Sequence, residues 1–183
     1  PGYRGMHSYT LAFENYFIPA ANLVGGDKGE GQGFYLQMAG FAAGRLQTGG
    51  RASGLAQAAL EVTAAYVNER KQFGRPIGDY QLTQYKLGRM ATHIMAGRQL
   101  TYMAARIMDE DEGRALEAAM CKLLAADIAV WVSQEGQQLH GGWGYAEEYP
   151  ISRHVVDATV LPIFEGVKPI LELKIIARTL LAG

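Results

Sequence analysis

The sequence predicts an all-α domain, an up-and-down bundle of the four-helix type, preceded by a short β remnant. Three observations carry that prediction. Apolar residues recur at three- and four-residue steps through three long stretches, the spacing that lines one face of an α-helix. The joints between those stretches are short and contain Gly and Pro, which favours antiparallel neighbours. Only the first thirty residues follow a different, two-residue alternation.

In that opening segment Tyr9, Leu11 and Phe13 alternate with Thr10, Ala12 and Glu14, the period of a half-buried strand. Pro19, Asn22 and Gly25-Gly26-Asp27 then read as loop. One or two strands do not fold alone. Residues 1–30 are therefore expected to be the trailing strand and loop of a β domain, and residues 31–183 a helical bundle domain. On this reading the chain opens at Pro1 in the middle of a fold and is a piece of something longer.

The first helical stretch runs from about Gly31 to Arg70, with Leu55, Leu60, Val62, Tyr66 and Val67 as apolar positions. Gly40, Gly44, Gly49, Gly50 and Gly54 crowd its first half. They allow close approach of a ligand or a backbone, or they form a glycine-weakened packing seam. The second stretch, Gln81 to Met108, carries Leu87, Met90, Ile94, Leu100, Met103 and Ile107 as a core stripe. The third, from about Arg114 to Leu139, is expected to bury Met120, Leu123, Leu124, Ile128 and Trp131. A shorter helix over 152–160 and a terminal one over 166–181, interrupted early by Pro169, complete the bundle.

Composition narrows the function. Of 183 residues, 49% are hydrophobic and 19% charged, and the net charge is −1, so no basic face for nucleic acid or an anionic membrane is implied. No apolar run reaches membrane-spanning length. Cys121 is the single cysteine, read as a small core residue in a reducing compartment, the cytoplasm or, in a eukaryote, the mitochondrial matrix. The four histidines, 7, 93, 140 and 154, show no ligand spacing, so no metal site is expected.

Three segments carry potential chemistry. In Pro162-Ile163-Phe164-Glu165-Gly166-Val167 one carboxylate follows an apolar approach that also includes Val155, Val156, Val160 and Leu161. A desolvated carboxylate is a stronger base, suited to removing a proton next to a carbonyl. Alternatively Glu165 is a first-turn helix residue favoured by the dipole. The segment Glu69 to Ile77 places Arg70, Lys71 and Arg75 around Phe73 and Gly74. Arginines there hold a pyrophosphate, or they form a basic helix C-terminus. Gln138-Leu139-His140-Gly141-Gly142-Trp143-Gly144-Tyr145 is either a glycine-rich cradle for a phosphate or a plain turn.

In order and spacing these segments resemble the C-terminal half of the acyl-CoA dehydrogenases. The matching residues are Arg70, Gln72-Phe73-Gly74, Pro76-Ile77 and Gln81, then Gln138, Gly141-Gly142 and Gly144-Tyr145. Asp157-Ala158, Phe164-Glu165-Gly166 and Ile176-Ala177-Arg178 follow. Phe13 and Ile18-Pro19 resemble the end of that family's middle β domain.

The resemblance implies an FAD-dependent flavoprotein, an oxidoreductase that desaturates an acyl-CoA thioester between Cα and Cβ. Glu165 would take the α-proton while the β-hydrogen leaves as hydride to flavin N5. Arg70, Gln72 and Phe73 correspond to residues that reach FAD across a subunit interface. Gln81, Gln138, Gly141 and Gly142 correspond to contacts with its adenosine-pyrophosphate arm. Arg45 and Gly166 fall at substrate-binding positions. The resemblance further implies a homodimer or homotetramer, electrons passing to an electron-transferring flavoprotein, and a chain that alone binds FAD weakly and turns over no substrate. The competing readings are an acyl-CoA oxidase and a non-catalytic helical interaction module of the same fold.

Some family members carry the base just before the arginine matching Arg45, where this chain has Gly44. The glycine leaves space over the reacting carbons, predicting a substrate branched, or carrying a polar group, at Cα. Other departures are Val167 in place of a hydrogen-bonding residue, Val156 in place of Arg before Asp157-Ala158, and Ala42 in place of an Asp that contacts the CoA arm. Trp143 stands where many members have Asn, and the combination resembles the methylsuccinyl-CoA dehydrogenase branch.

Overall fold

Three long helices make the body of the protein. In the computed structural model, which describes residues 1–111 and 114–182, they are α1 (Gly33–Glu69), α2 (Gln81–Glu110) and α3 (Ala115–His140). α4 (Pro150–Ala158) follows, and the chain ends in a continuous helical segment. That segment opens as α5 (Lys168–Ile170), widens into a π-helix (Leu171–Ala177) and closes as α6 (Arg178–Leu181). Pro169 does not interrupt it. The proline sits in the first turn, where a missing N–H removes no intrahelical bond.

α3 is the central helix, packed by α1, α2, α4 and the π-helical segment. Small side chains make this possible. Ala125, Ala126, Ala129 and Val132 are fully buried or nearly so, joined in the core by Ala52, Ala56 and Ala59 of α1, Met90 and Ile94 of α2, and Ile151 of α4, while Ala118 packs with Ala42 and Met108, and Ala119 with Leu123 and Leu171. The bundle thus gains close helix approach rather than bulky interlocking.

The buried stripe of α2 differs from the apolar stripe its sequence suggests. It runs Met90, Ile94, Gly97, Thr101, Ala104, Met108, alternating steps of four and three, while Met103 is 39% exposed. A Cβ at Gly97 would lie 2.9 Å from Cδ1 of Ile128, so distance to α3, not hydrophobicity, selects the residue. On α3, Leu123 and Ile128 are buried as expected, but Leu124 faces out and Met120 and Trp131 are only half-buried.

The glycines of α1 divide into classes. A Cβ at Gly49 would meet Cys121 Sγ and Thr101 Oγ1, each at 3.2 Å, whereas Gly40, Gly50 and Gly54 face open space. Gly49 is therefore a packing glycine. Cys121 itself is fully buried, its thiol bonded to the Ala118 carbonyl at 3.3 Å and pushed up to about 11 by burial, which removes thiolate reactivity at neutral pH.

The tightest seam gives a stability prediction. A Cβ at Gly136 on α3 would come within 2.5 Å of Thr63 Oγ1 and 2.8 Å of Ile151 Cδ1, both on fully buried side chains. Overpacking costs about 1–3 kcal/mol against about 1 kcal/mol of helix propensity gained by alanine. Gly136→Ala is expected to lower the urea midpoint, a net loss of about 1 kcal/mol, with the slope unchanged.

Residues 6–13 form no strand, contrary to the alternation of their side chains. Tyr9, Leu11 and Phe13 are 78%, 73% and 70% exposed, and no described strand lies beside them to complete a ladder. Two 3₁₀ turns, Ala20–Asn22 and Gly26–Gly29, lead into α1. The N-terminus is nonetheless tied to the bundle: the Tyr3 N–H donates to Asp157 Oδ1 at 2.6 Å and its ring meets Phe164 edge-on. No described helix is long and apolar enough to cross a membrane.

Candidate active site

Between α4 and α5 the chain makes a short irregular passage anchored by Leu161, which is fully buried, and by Phe164 against the core. Glu165 and Gly166 then both adopt left-handed backbone, with φ of 55° and 106°. For glutamate that conformation costs about 1 kcal/mol or more and persists only where neighbours enforce it. Glycine is required next: a Cβ at 166 would strike Leu171 Cδ2 at 2.7 Å.

Three cations from different helices hold this turn. Arg45 on α1 donates from Nε to the Glu165 carbonyl at 3.3 Å, and Lys122 on α3 donates from Nζ to the Gly166 carbonyl at 2.8 Å. Two residues on, Lys168 pairs with Asp127 of α3. The result places the Glu165 carboxylate directly over Gly44: a Cβ there would be 2.7 Å from Oε2.

This geometry corrects the surroundings inferred for Glu165. Its sequence neighbours are apolar, yet the charged groups beside it are Arg45 and Lys122, brought from residues 120 and 43 positions away. Ile163 and Val156 point outward. Burial lowers the Arg45 value, a shift the Glu165 charge opposes. Burial and the Arg45 charge push Lys122 down to about 8. Nor is Glu165 a first-turn helix residue, because the helix begins at Lys168 with Val167 as its cap.

The space over Gly44 is likewise not vacant for substrate. Glu165's own carboxylate fills it, so the glycine makes room for the acid, and the branched-substrate expectation loses its support there. Ala42 is buried against Met108 and Ala118, a position on the core side of α1.

A second feature forms at the other end of α1. Arg70 leaves the helix in extended conformation, and β1 (Lys71–Gln72) pairs antiparallel with β2 (Arg75–Pro76). The connecting residues Phe73 and Gly74 have φ of 51° and 85°, the two positive values a tight hairpin turn demands. Tyr80 braces the hairpin, donating from its hydroxyl to the Gln72 carbonyl at 2.9 Å while Arg75 lies 4.1 Å over its ring.

Next to this hairpin is an open groove of about 550 Å³, which brings Arg70, Gln72, Gln138, Gly141 and Gly142 together with Trp143. Gly141 ends α3 at φ 61°, and a Cβ on it or on Gly142 would meet nothing within 4 Å. The backbone is thus bare toward the groove. Phe73 and Gln81 lie outside the groove lining. Phe73 is 94% exposed at the hairpin tip, and Gln81 is exposed at the first residue of α2.

Sequence reasoning passed over the aromatic wall. Tyr66 stacks on His140 at 4.1 Å, and Tyr149 meets both rings edge-on. His140 is buried, with Nδ1 2.7 Å from the Gly136 carbonyl, which can only accept, so that nitrogen carries the proton. Burial lowers its pKa and keeps the ring neutral. The available signal was its place beside Gly141, not any ligand spacing. Among the described residues no cluster of three or more His, Cys, Asp and Glu is placed to hold a metal ion.

Residues 31–181 match the family of the acyl-CoA dehydrogenase C-terminal domain. The chain belongs to the acyl-CoA dehydrogenase family. It is 47% identical over 180 residues to the (2S)-methylsuccinyl-CoA dehydrogenase of Cereibacter sphaeroides, covering 98% of this chain and 32% of that protein. It is 41% identical over 182 residues to an acyl-CoA dehydrogenase of Bacillus subtilis, covering 100% of this chain and 47% of the relative. The fold agrees: butyryl-CoA dehydrogenase from Megasphaera elsdenii superposes with a TM-score of 0.80 at 38% identity, over 82% of this chain and 39% of that one. This acyl-CoA dehydrogenase domain therefore spans 32% and 47% of the length of these two curated relatives.

Proposed function

We propose that this chain is the base-bearing helical domain of an FAD-dependent acyl-CoA dehydrogenase that introduces an α,β double bond into an acyl-CoA thioester. The observation that carries the reading is the Glu165 carboxylate, held over Gly44 by a strained two-residue turn whose carbonyls are fixed by Arg45 and Lys122. Glu165 accepts the α-proton. Because α1, α3 and the terminal helix all grip the turn, the carboxylate is preorganised rather than recruited by substrate. Arg45 and the Gly166 backbone border the place where the thioester sits.

FAD, when bound, supplies the acceptor for the β-hydride. The groove fits its adenosine-pyrophosphate arm: Arg70 offers a planar cationic fork, Gln72 and Gln138 offer amides, and Gly141 and Gly142 leave their backbone open to a phosphate. Residues 44 and 66 of α1 are about 33 Å apart at 1.5 Å per residue, farther than an extended FAD reaches. One flavin thus takes its catalytic neighbours from one protomer and its groove from another, which supports a homodimer or a dimer of dimers. Phe73, exposed at the hairpin tip, and Gln81 are assigned to that same cross-protomer contact.

The substrate class follows the 47%-identical relative, a (2S)-methylsuccinyl-CoA dehydrogenase, and is a branched dicarboxylic acyl-CoA. An electron-transferring flavoprotein is the acceptor assigned by family analogy, and the inert buried thiol of Cys121 suits a reducing compartment such as the cytoplasm. The chain by itself is expected to be inactive.

The holoenzyme should be titrated anaerobically with butyryl-, isovaleryl- and methylsuccinyl-CoA while the flavin absorbance is followed. Stoichiometric bleaching by methylsuccinyl-CoA, without peroxide release once air is admitted with the acceptor present, is the expected result. Bleaching by none of the esters would sink the dehydrogenase reading. Rapid peroxide formation would turn it into an oxidase.

A further inference from the structure

Lys122 is the largest fully buried side chain among the described residues, with no exposed surface. Lysine is almost never buried this completely unless it is paired. Yet no carboxylate among the described residues lies within ion-pairing distance of its Nζ: Asp127, on the same helix, is engaged by Lys168. Its hydrogen bond goes instead to a backbone carbonyl, that of Gly166.

We propose that Lys122 is a positioning residue for the base. Its ammonium fixes the Gly166 carbonyl and, together with Arg45 on the Glu165 carbonyl, holds the left-handed Glu165-Gly166 turn that sets the carboxylate over Gly44. This inference rests on Glu165 being the base. Nothing in the local sequence demands φ of 55° at Glu165, and a strained residue stays in place only when the surrounding contacts over-determine it. Two charge-assisted bonds to consecutive carbonyls do so. The arrangement also explains why a charge stands in an alanine-lined core, where an apolar residue would be more stable.

The pH dependence follows. The groups facing Lys122 are Arg45 from α1, Asp127 from its own helix and Glu165 from the turn, with Lys168 of α5 beyond Asp127. Desolvation first, then Arg45, brings Lys122 to about 8 from its ordinary 10.5. With the folded value below the unfolded one, its contribution to stability is full above the unfolded value. That contribution is lost as pH falls through about 8. At neutral pH the ammonium therefore lowers stability while it grips the turn. Above about 8 the ammonium loses its proton and the grip loosens.

The test uses the holoenzyme with Lys122→Met and Lys122→Gln. Flavin content, Tm at pH 7, and kcat and KM for the bleaching ester are measured across pH. Native enzyme should lose rate as pH rises through about 8. Lys122→Met should bind flavin normally, show a Tm no lower than native, lose at least about tenfold in kcat with KM changed less than about threefold, and lack the alkaline limb. Lys122→Gln, which keeps a donor, should recover part of the rate. A native kcat and pH profile in Lys122→Met, or a rate loss that only follows loss of Tm and flavin, would overturn the proposal. If the Met variant does not fold, a native rate that stays flat from about pH 7 to about pH 9.5 overturns it. Failure of the underlying reading looks different: then Glu165→Gln bleaches like native, whatever Lys122 does.

Discussion

Glu165→Gln in the holoenzyme is expected to lower the rate of flavin reduction by about 10³-fold or more, with KM for the acyl-CoA changed only severalfold. The amide has the same shape as the carboxylate, so it fits over Gly44 without disturbing the turn, whose fixed atoms are backbone carbonyls. It has no proton affinity to offer, and positioned general bases contribute typically about 10²–10⁴-fold. The position before Arg45, where a base could otherwise project, is Gly44. Rapid-mixing reduction under anaerobic conditions reads the effect directly. Rates within a factor of ten of native would remove Glu165 from the reaction.

Gly44→Ala is the second large effect, and it separates activity from stability. The added methyl would lie 2.7 Å from Oε2 and 3.1 Å from Cδ of Glu165. The carboxylate end must move, since the methyl is carried on a helix whose backbone is held by its own bonds. A displacement of about 1 Å at a reacting group costs about 10²-fold, so kcat should fall by that order. Alanine in a helix interior favours the fold by about 1 kcal/mol over glycine, so Tm should hold or rise. The comparison between substrates is decisive for the role of Gly44. If the glycine accommodates the base, straight and branched esters slow equally. A loss confined to branched esters would show that the space serves the substrate instead.

The helices were legible because each imposes a periodic pattern over many turns. The three long ones were expected at Gly31–Arg70, Gln81–Met108 and Arg114–Leu139 and lie at Gly33–Glu69, Gln81–Glu110 and Ala115–His140. The segment Glu69–Ile77 was read as a pyrophosphate site or a helix C-terminus; the hairpin it forms, with a phenylalanine at positive φ, was not foreseeable from propensity. The core was less legible. Gly97, Thr101 and Ala104 are buried where Leu100 and Met103 were expected, because at a close helix contact small residues, not the most hydrophobic ones, fit. The alternation at Tyr9–Phe13 is a different case: it describes side chains, while a strand exists only through hydrogen bonds to a neighbour, and no described strand lies beside it.

By itself the sequence determined the helical architecture and the motif order that marks the family, and it singled out the acid, Glu165, that is proposed as the base. Those are properties of local periodicity and of residue type, which the chain carries wherever it is placed. Only the tertiary structure decided what surrounds that acid. Arg45, Lys122 and Gly44 come from two other helices, and neither periodicity nor neighbouring residues report which side chains meet across a bundle. It likewise gathered Arg70, Gln72, Gln138, Gly141 and Gly142 onto one groove, while leaving Phe73 and Gln81 outside it. Charge and strain are set by distance in space, and the chain records only distance along itself.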